Sequence, residues 1–96
     1  MCGILFSNIA RIKKVSFNSA LELMDHRGPD ATGYFNQNSI QMGHKRLKIQ
    51  DLDSRSNQPF FSKCGNFICI FNGEIYNFNE LVKTHSIQMR TSSDTE

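Results

Sequence analysis

Apolar residues gather at the start of the chain, in CGILF, where strand-forming side chains dominate. This pattern predicts a short buried strand that begins almost at the terminus. From Ser16 onward the apolar spacing becomes helical and predicts a helix over residues 17–26. Ser16 or Asn18 can cap its N-terminus, and the Gly-Pro pair in HRGPD ends it.

Two further strands are predicted on either side of the polar pair Gln37-Asn38. TGYFN precedes the pair and SIQMGH follows it, which is the pattern of a β-hairpin. KRLKIQDL continues the second strand, because Leu47 and Ile49 alternate with polar residues. The polar run DLDSRSNQP then predicts a loop.

A second hairpin is predicted around KCGN, where Gly65-Asn66 suits a tight turn. PFFS and NFICIFNGEIY flank this turn, and the second of these strands is expected to be long, apolar and central. Asn77 followed by Glu80 resembles a capping box for the short helix NELVKTH, and IQMR predicts an edge strand. SSDTE resembles the start of a helix without its apolar face, so we expect a chain that has been cut short.

The composition is that of one small globular domain with a limited core: 96 residues, 39% apolar and 21% charged. A formal net charge of +2 is too small to argue for a nucleic-acid or acidic-membrane partner. The basic run of Arg11, Lys13 and Lys14 fits an exposed turn better than a phosphate-binding patch. No segment reaches the roughly 20 apolar residues of a membrane helix and no signal-peptide pattern is present, so we expect a cytoplasmic protein.

The cysteines and histidines offer neither a disulfide framework nor a metal site. Cys2, Cys64 and Cys69 are odd in number and form no CxxC pair, and the histidines are scattered. We therefore expect no metal. Cys69, inside FICIF, is expected to be a buried strand residue, and Cys64 a hairpin-turn residue.

Two interpretations of Cys2 are open. It is an ordinary cysteine that happens to follow methionine or, once Met1 is removed, an N-terminal nucleophile whose own α-amine acts as the base. A free α-amine has a pKa of about 8 and a thiol one of about 8.5, so the amine can accept the thiol proton near neutral pH.

Other short motifs are ambiguous when each is taken alone. Asn72-Gly73 in FNGEIYN offers two donors for an oxyanion, but Asn-Gly is also a common hairpin turn. Arg27 and Asp30 of HRGPD can pair across a turn. Arg46 of GHKRL can lie in solvent or bind a substrate carboxylate with its guanidinium fork.

Taken in order, MCGI, HRGPD, GHKRLKI, NQPF, FNGEIYN and SSDTE resemble the N-terminal glutaminase domain of the class II glutamine amidotransferases, and within them that of the glutamine-hydrolysing asparagine synthetases. The resemblance runs from Met1 to Glu96. It implies an α+β fold, the four-layer α/β/β/α sandwich of antiparallel sheets of the Ntn hydrolases, here only its N-terminal half. Residues 1–96 would be a partial type-2 glutamine amidotransferase domain without the synthetase domain.

The resemblance also implies catalytic roles. Cys2 would be the nucleophile after loss of Met1, and Asn72 with Gly73 would hold the oxyanion. The products of the reaction would be glutamate and ammonia.

Three further residues would bind the substrate, L-glutamine. Arg46 would bind its α-carboxylate, while Glu74 and Asp94 would accept hydrogen bonds from its α-ammonium group. One departure from the family is Lys45, where glutamate is common; it lies on the opposite strand face, so we expect little effect on the pocket.

In complete enzymes of this family the ammonia reaches a synthetase domain on the same chain, where ATP and Mg serve the ATP-dependent synthesis of asparagine from aspartate. No cofactor is expected in this segment, and no nucleic acid or membrane is expected as a partner. The sequence leaves the homodimer and the monomer both open. Two alternatives remain: a non-catalytic glutamine-binding fragment, and the glutaminase part of a related amidotransferase with another ammonia acceptor. We also expect poor activity from the 96 residues alone, because little apolar surface is available to hold the pocket.

Overall fold

A computed structural model describes residues 1–96 and contains antiparallel strands and two α-helices. A single 3-10 turn, at Ser54–Ser56, lies between the third and fourth strands in chain order. The elements in chain order are β1 (Gly3–Ser7), α1 (Lys14–Glu22), β2 (Ala31–Gln37), β3 (Ile40–Arg46), β4 (Phe60–Phe61), β5 (Ile68–Cys69) and α2 (Phe78–Thr84). The chain is therefore of the α+β class with antiparallel sheets, as the sequence predicts.

The main sheet has the strand order β1-β3-β2, so that β3 lies in the middle. β2 and β3 form the predicted hairpin, with Asn38 at its turn in the left-handed region (φ 55°), which asparagine tolerates better than most residues. β1 pairs antiparallel with β3, and Gly3 lies opposite Lys45. This register brings Cys2 beside the end of β3, where the chain leaves the sheet.

Helix α1 covers one face of this sheet. Its buried side chains, Phe17 and Leu21, lie over Gly43 of β3, and a Cβ on that glycine would come within 2.7 Å of Leu21 Cδ2. The helix begins at Lys14 and ends at Glu22, so both predicted limits were too late along the chain. Lys13 occupies the N-cap position and makes no side-chain cap bond, so the prediction of a Ser16 or Asn18 cap was wrong.

The opposite face of the sheet is only partly covered. Phe35 packs edge-on against Phe61 of β4, with their ring centroids 5.7 Å apart, while Ile4 and Phe6 stay exposed. The buried apolar residues are few, namely Phe17, Leu21 and Phe60. The core is accordingly small, as the chain length predicts. Neither helix is both long and apolar enough to cross a membrane.

Several predicted strands do not form. β3 stops at Arg46, so Leu47 and Ile49 lie outside the sheet, and residues 87–90 form no strand. The second hairpin exists with the predicted turn, where Gly65 has φ 75°, but β5 is only two residues long. Cys64 is exposed in that turn as predicted, whereas Cys69 is exposed rather than buried.

The C-terminal segment is a loop held by side chains. The Glu96 carboxylate accepts hydrogen bonds from the backbone N–H groups of Arg90 and Thr91, at 2.9 and 2.8 Å. Asp51 accepts another from Ser92 N–H at 2.7 Å. Helix α2 forms where predicted, with Asn77 at its N-cap position but without the side-chain bond of a capping box.

Candidate functional site

A cavity of about 270 Å³ opens where the chain leaves β3 and β5 and where the C-terminal loop returns. Drug-sized ligands occupy pockets of about 300–1,000 Å³, so this cavity suits a smaller molecule. Polar and charged groups of both signs line it. All six residues that the sequence singles out lie on its wall: Cys2, Arg46, Asn72, Gly73, Glu74 and Asp94.

Cys2 is half-buried at the start of β1, and its sulfur lies against the backbone of Leu47. The N–H of Leu47 donates to Cys2 Sγ at 3.3 Å, and Sγ lies 3.8 Å from the Leu47 carbonyl oxygen. Arg27 Nε donates to the Cys2 carbonyl at 3.1 Å. These three contacts fix the position of the thiol relative to the cavity.

The HRGPD segment thus serves the site differently from the sequence-based expectation. Arg27 does not pair with Asp30; it holds the backbone of Cys2. Asp30 accepts a hydrogen bond from Lys48 N–H at 2.8 Å. Gly28 packs so closely on the backbone of Lys45 that a Cβ would lie 2.2 Å from its carbonyl oxygen. HRGPD therefore links the start of β1 to the end of β3, which lie side by side at one end of the strand pair.

Asn72 and Gly73 follow β5 and do not form a hairpin turn. Neither residue has a positive φ, and no strand follows them, so the turn interpretation is wrong. A Cβ on Gly73 would come within 2.8 Å of the Phe71 ring. The absence of a side chain at Gly73 leaves its backbone accessible from the cavity.

Arg46 is buried and its guanidinium holds the loop that follows β3. Nη1 donates to the Asp53 carbonyl at 2.8 Å and to Asn57 Oδ1 at 2.7 Å. Nη2 donates to the carbonyls of Gln50, at 3.1 Å, and of Asp51. Of the five N–H groups of the guanidinium, only that of Nε has no partner within the chain.

Glu74 and Asp94 supply two carboxylates to the wall of the cavity. Glu74 Oε1 accepts a hydrogen bond from Gln50 Nε2 at 3.2 Å, and Asp94 Oδ2 accepts one from Ile75 N–H at 2.7 Å. In each carboxylate the second oxygen accepts no hydrogen bond from the chain. Together they form a negatively charged region that can bind a cation.

The sequence analysis missed two buried side chains that contact Phe71, the residue before Asn72. His44 is 0% exposed, and its Nε2 lies 3.3 Å from the Phe71 carbonyl oxygen. Gln58 Oε1 accepts a hydrogen bond from Phe71 N–H at 2.5 Å. Only their position within the motifs GHKRL and NQPF could have drawn attention to them, and neither residue type signals such a role by itself.

The environment of His44 fixes its protonation state. Burial lowers its pKa below 6.5, and the positive charge of Arg46 acts in the same direction against the bond to Phe71. Because a carbonyl can only accept, Nε2 of the neutral ring carries the proton, which leaves Nδ1 buried without a partner.

Lys45 points away from the cavity, toward α1. Its Nζ pairs with Asp25 and donates to Thr32 Oγ1 at 2.8 Å.

No three His, Cys, Asp or Glu side chains in residues 1–96 lie together in a way that could hold a metal ion.

Comparison with known proteins identifies a family. The model of a family described as "Glutamine amidotransferase domain" matches residues 1–96. An asparagine synthetase [glutamine-hydrolyzing] 1 of Lotus japonicus is 38% identical over 101 residues, covering 100% of this chain and 17% of the relative. A protein of the same name from Bacillus subtilis is 38% identical over 78 residues, covering 78% of the chain and 12% of the relative.

A relative with a different name also matches. The protein named amidase chry2 of Gibberella zeae is 44% identical over 62 residues, which cover 62% of this chain and 9% of the relative. This chain thus spans less than a fifth of the length of each of these three relatives.

Proposed function

This chain belongs to the glutamine amidotransferase domain family, and from that premise we propose that it hydrolyses L-glutamine to glutamate and ammonia with Cys2 as the nucleophile. The observation that carries the proposal is the meeting of Cys2, Asn72 and Asp94 at one small cavity, although 70 residues separate the first two in sequence. The cavity volume of about 270 Å³ suits a single amino acid.

The first step is attack on the side-chain amide of glutamine. Removal of Met1 frees the α-amine of Cys2, which accepts the thiol proton, and the sulfur then bonds to the amide carbon. The negative charge that develops on the amide oxygen is stabilised by Asn72 Nδ2 and by the backbone N–H of Gly73. Leu47 N–H, 3.3 Å from Sγ, supports the sulfur while it carries charge.

The second step comprises the departure of ammonia and the hydrolysis of the γ-glutamyl thioester. The amine nitrogen of the tetrahedral intermediate takes the proton held by the Cys2 α-ammonium and leaves as ammonia. The remaining γ-glutamyl thioester is attacked by water, which the same amine deprotonates, and glutamate and the thiol are released.

Recognition of the free amino acid involves three charged side chains. Arg46 binds the α-carboxylate, and since both Nη atoms already donate to the loop, its Nε–H is the donor left for the substrate. The unpartnered oxygens of Glu74 and Asp94 accept from the α-ammonium group. A glutamine within a peptide lacks both charges, so this arrangement selects the free amino acid.

We further propose that these residues form the N-terminal half of a four-layer sandwich and act with a synthetase domain on the same chain. The exposed Ile4 and Phe6, on the sheet face opposite α1, support a further layer. In that complete enzyme, with ATP and Mg bound to the synthetase domain, the ammonia would serve asparagine synthesis from aspartate. A cytoplasmic location stays a prediction from the sequence, and the oligomeric state stays open.

The test combines intact mass with turnover and labelling. The mature protein should lack Met1, release glutamate from glutamine, and lose Cys2 reactivity toward a glutamine-mimicking electrophile when glutamine is in excess. Glutamate release by a protein that retains Met1 would disprove the α-amine as base. A protein that lacks Met1 but neither turns over nor becomes labelled would instead favour the non-catalytic alternative.

A second candidate concerns the ammonia acceptor. The relative named amidase chry2 is 44% identical over 62 residues, and the Lotus japonicus relative 38% identical over 101 residues. The glutaminase chemistry would be unchanged, and the acceptor would differ. Incubation of the complete protein with glutamine, ATP and aspartate separates the two candidates by whether asparagine forms.

A further inference from the structure

We propose that Gln58 is a positioning residue that ties the oxyanion segment to the ammonium-binding segment and so sets the length of substrate that the cavity accepts. This inference rests on the function proposed above. It concerns a side chain that is 7% exposed and whose amide group spans two separate loops.

Both polar atoms of the Gln58 side-chain amide form hydrogen bonds. Oε1 accepts from Phe71 N–H at 2.5 Å, and Phe71 immediately precedes Asn72. Nε2 donates to Thr95 Oγ1 at 3.1 Å, and Thr95 immediately follows Asp94. One side chain therefore links the residue before the oxyanion donors to the residue after the carboxylate.

The backbone of Gln58 is held firmly in place. Its carbonyl oxygen packs against Gly33 of β2, where a Cβ would lie only 1.7 Å away. Because that contact leaves no room for movement toward the sheet, the side chain extends from a defined point. Gln58 thereby connects both loops to the main sheet.

Each linked segment has further support from buried groups. His44 Nε2 donates to the Phe71 carbonyl at 3.3 Å, so the residue before Asn72 is held through both its N–H and its C=O. On the other side, Ser93 Oγ contacts Thr95 Oγ1 at 3.2 Å and accepts from Thr95 N–H at 3.3 Å. Gln58 joins these two supported segments to each other, beside the direct bond from Ile75 N–H to Asp94 Oδ2.

The chemical consequence concerns the two ends of glutamine. Its amide carbonyl must reach Asn72 and Gly73 while its ammonium group reaches Asp94, so the separation of these loops decides which side-chain length fits. A misplacement of about 1 Å can cost about 10²-fold in rate. Cutting the Gln58 link should therefore affect both the rate and the preference for glutamine over asparagine, which is one methylene shorter.

The experiment uses the full chain with Gln58→Met, which keeps the length of the side chain but removes both polar ends. We expect kcat for glutamine to fall about 10- to 10²-fold, and the ratio of glutamine to asparagine hydrolysis to fall with it. Gln37→Met, at the exposed end of β2, is the matched control and should leave both quantities unchanged.

Thr95→Val removes the acceptor of the Gln58 Nε2 bond, together with the Ser93 Oγ contact, and keeps Gln58 in place. It therefore tests the inference even if Gln58→Met fails to fold. It should raise KM for glutamine several-fold with a smaller change in kcat, and Thr95→Ser should restore KM. In the double variant the loss should be smaller than the product of the single losses, because both substitutions break the same link.

The outcomes separate this inference from the proposed function. If the unchanged protein releases glutamate and Gln58→Met and Thr95→Val keep its kcat, KM and substrate preference, the inference is wrong and the proposed function stands. If both variants lose rate while the preference for glutamine over asparagine is unchanged, Gln58 does not set substrate length and the inference is again overturned. If the unchanged protein releases no glutamate, the proposed function fails and this inference fails with it.

Discussion

The backbone N–H of Leu47 donates a hydrogen bond to the sulfur of Cys2 across 3.3 Å. This contact joins the first strand to the loop after β3 and directs the sulfur toward the cavity. This hydrogen bond should stabilise the thiolate more than the thiol, because hydrogen bonds to charged groups are stronger than those between neutral groups.

Replacement of the proposed nucleophile, Cys2, should abolish turnover without unfolding the protein. We expect Cys2→Ser to lower kcat by about 10³-fold or more, since the hydroxyl is a poorer nucleophile at neutral pH. Glutamate release and far-UV circular dichroism measure the two effects. Cys64→Ser, at an exposed cysteine, is the control and should retain activity; equal loss in both variants would argue against a special role for Cys2.

Removal of the proposed oxyanion donor, the side-chain amide of Asn72, should lower the rate of the chemical step. Asn72→Ala should lower kcat by about 10²–10³-fold with little change in KM, because the donor acts on charge that forms only in the transition state. Steady-state kinetics with glutamine measures it. Asn66→Ala, in the exposed turn at the other end of β5, should have no effect. A change in KM alone for Asn72→Ala would contradict the oxyanion role.

Arg46 combines a structural role with its proposed binding role. Arg46→Lys cannot satisfy the four acceptors that the two Nη atoms now reach. Each buried polar group left unpaired costs about 1–3 kcal/mol, so we expect a lower free energy of unfolding together with a higher KM. Urea unfolding and kinetics measure these, with the exposed Arg11→Lys as control. A normal stability with a raised KM would mean that Arg46 acts on the substrate alone.

His44 should make the stability depend on pH. Burial lowers its pKa in the folded protein from 6.5. Just below pH 6.5 the unfolded chain therefore binds a proton at His44 that the folded chain does not bind. The free energy of unfolding should therefore have its full value above about pH 6.5, and it should fall as the pH decreases toward the pKa of His44 in the folded protein. His44→Gln, which can keep a donor to Phe71, should remove this slope in thermal unfolding between about pH 7.5 and about pH 5.5. An unchanged slope would assign the effect to other groups.

The small core should be sensitive to truncation. Leu21 is 2% exposed, and Leu21→Ala should cost about 2–5 kcal/mol through lost burial and the cavity left behind. Leu23, one position past α1, is 78% exposed, so Leu23→Ala should change the free energy of unfolding little. Chemical denaturation of both variants checks the comparison, and equal effects would mean that α1 does not pack as described.

Local patterns predicted the elements whose partners are near in sequence. The β2-β3 hairpin is confirmed because its two strands are adjacent in sequence and share a two-residue turn. The continuation of β3 through Ile49 was wrong because the backbone carbonyls of residues 50, 51 and 53 bond to the Arg46 side chain. The long strand predicted from Asn66 was wrong because only Phe60 and Phe61 provide paired backbone for it.

The sequence by itself determined the reactive groups: a thiol beside the starting methionine, an Asn-Gly pair, and the acids Glu74 and Asp94. The identity of these groups depends only on residue type and order, which can be read from the sequence. The tertiary structure decided that they line one cavity, that Arg46 holds a loop, and that Gln58 spans two loops. Such relationships join residues far apart in sequence, and packing and hydrogen bonding fix them only once the strands have paired.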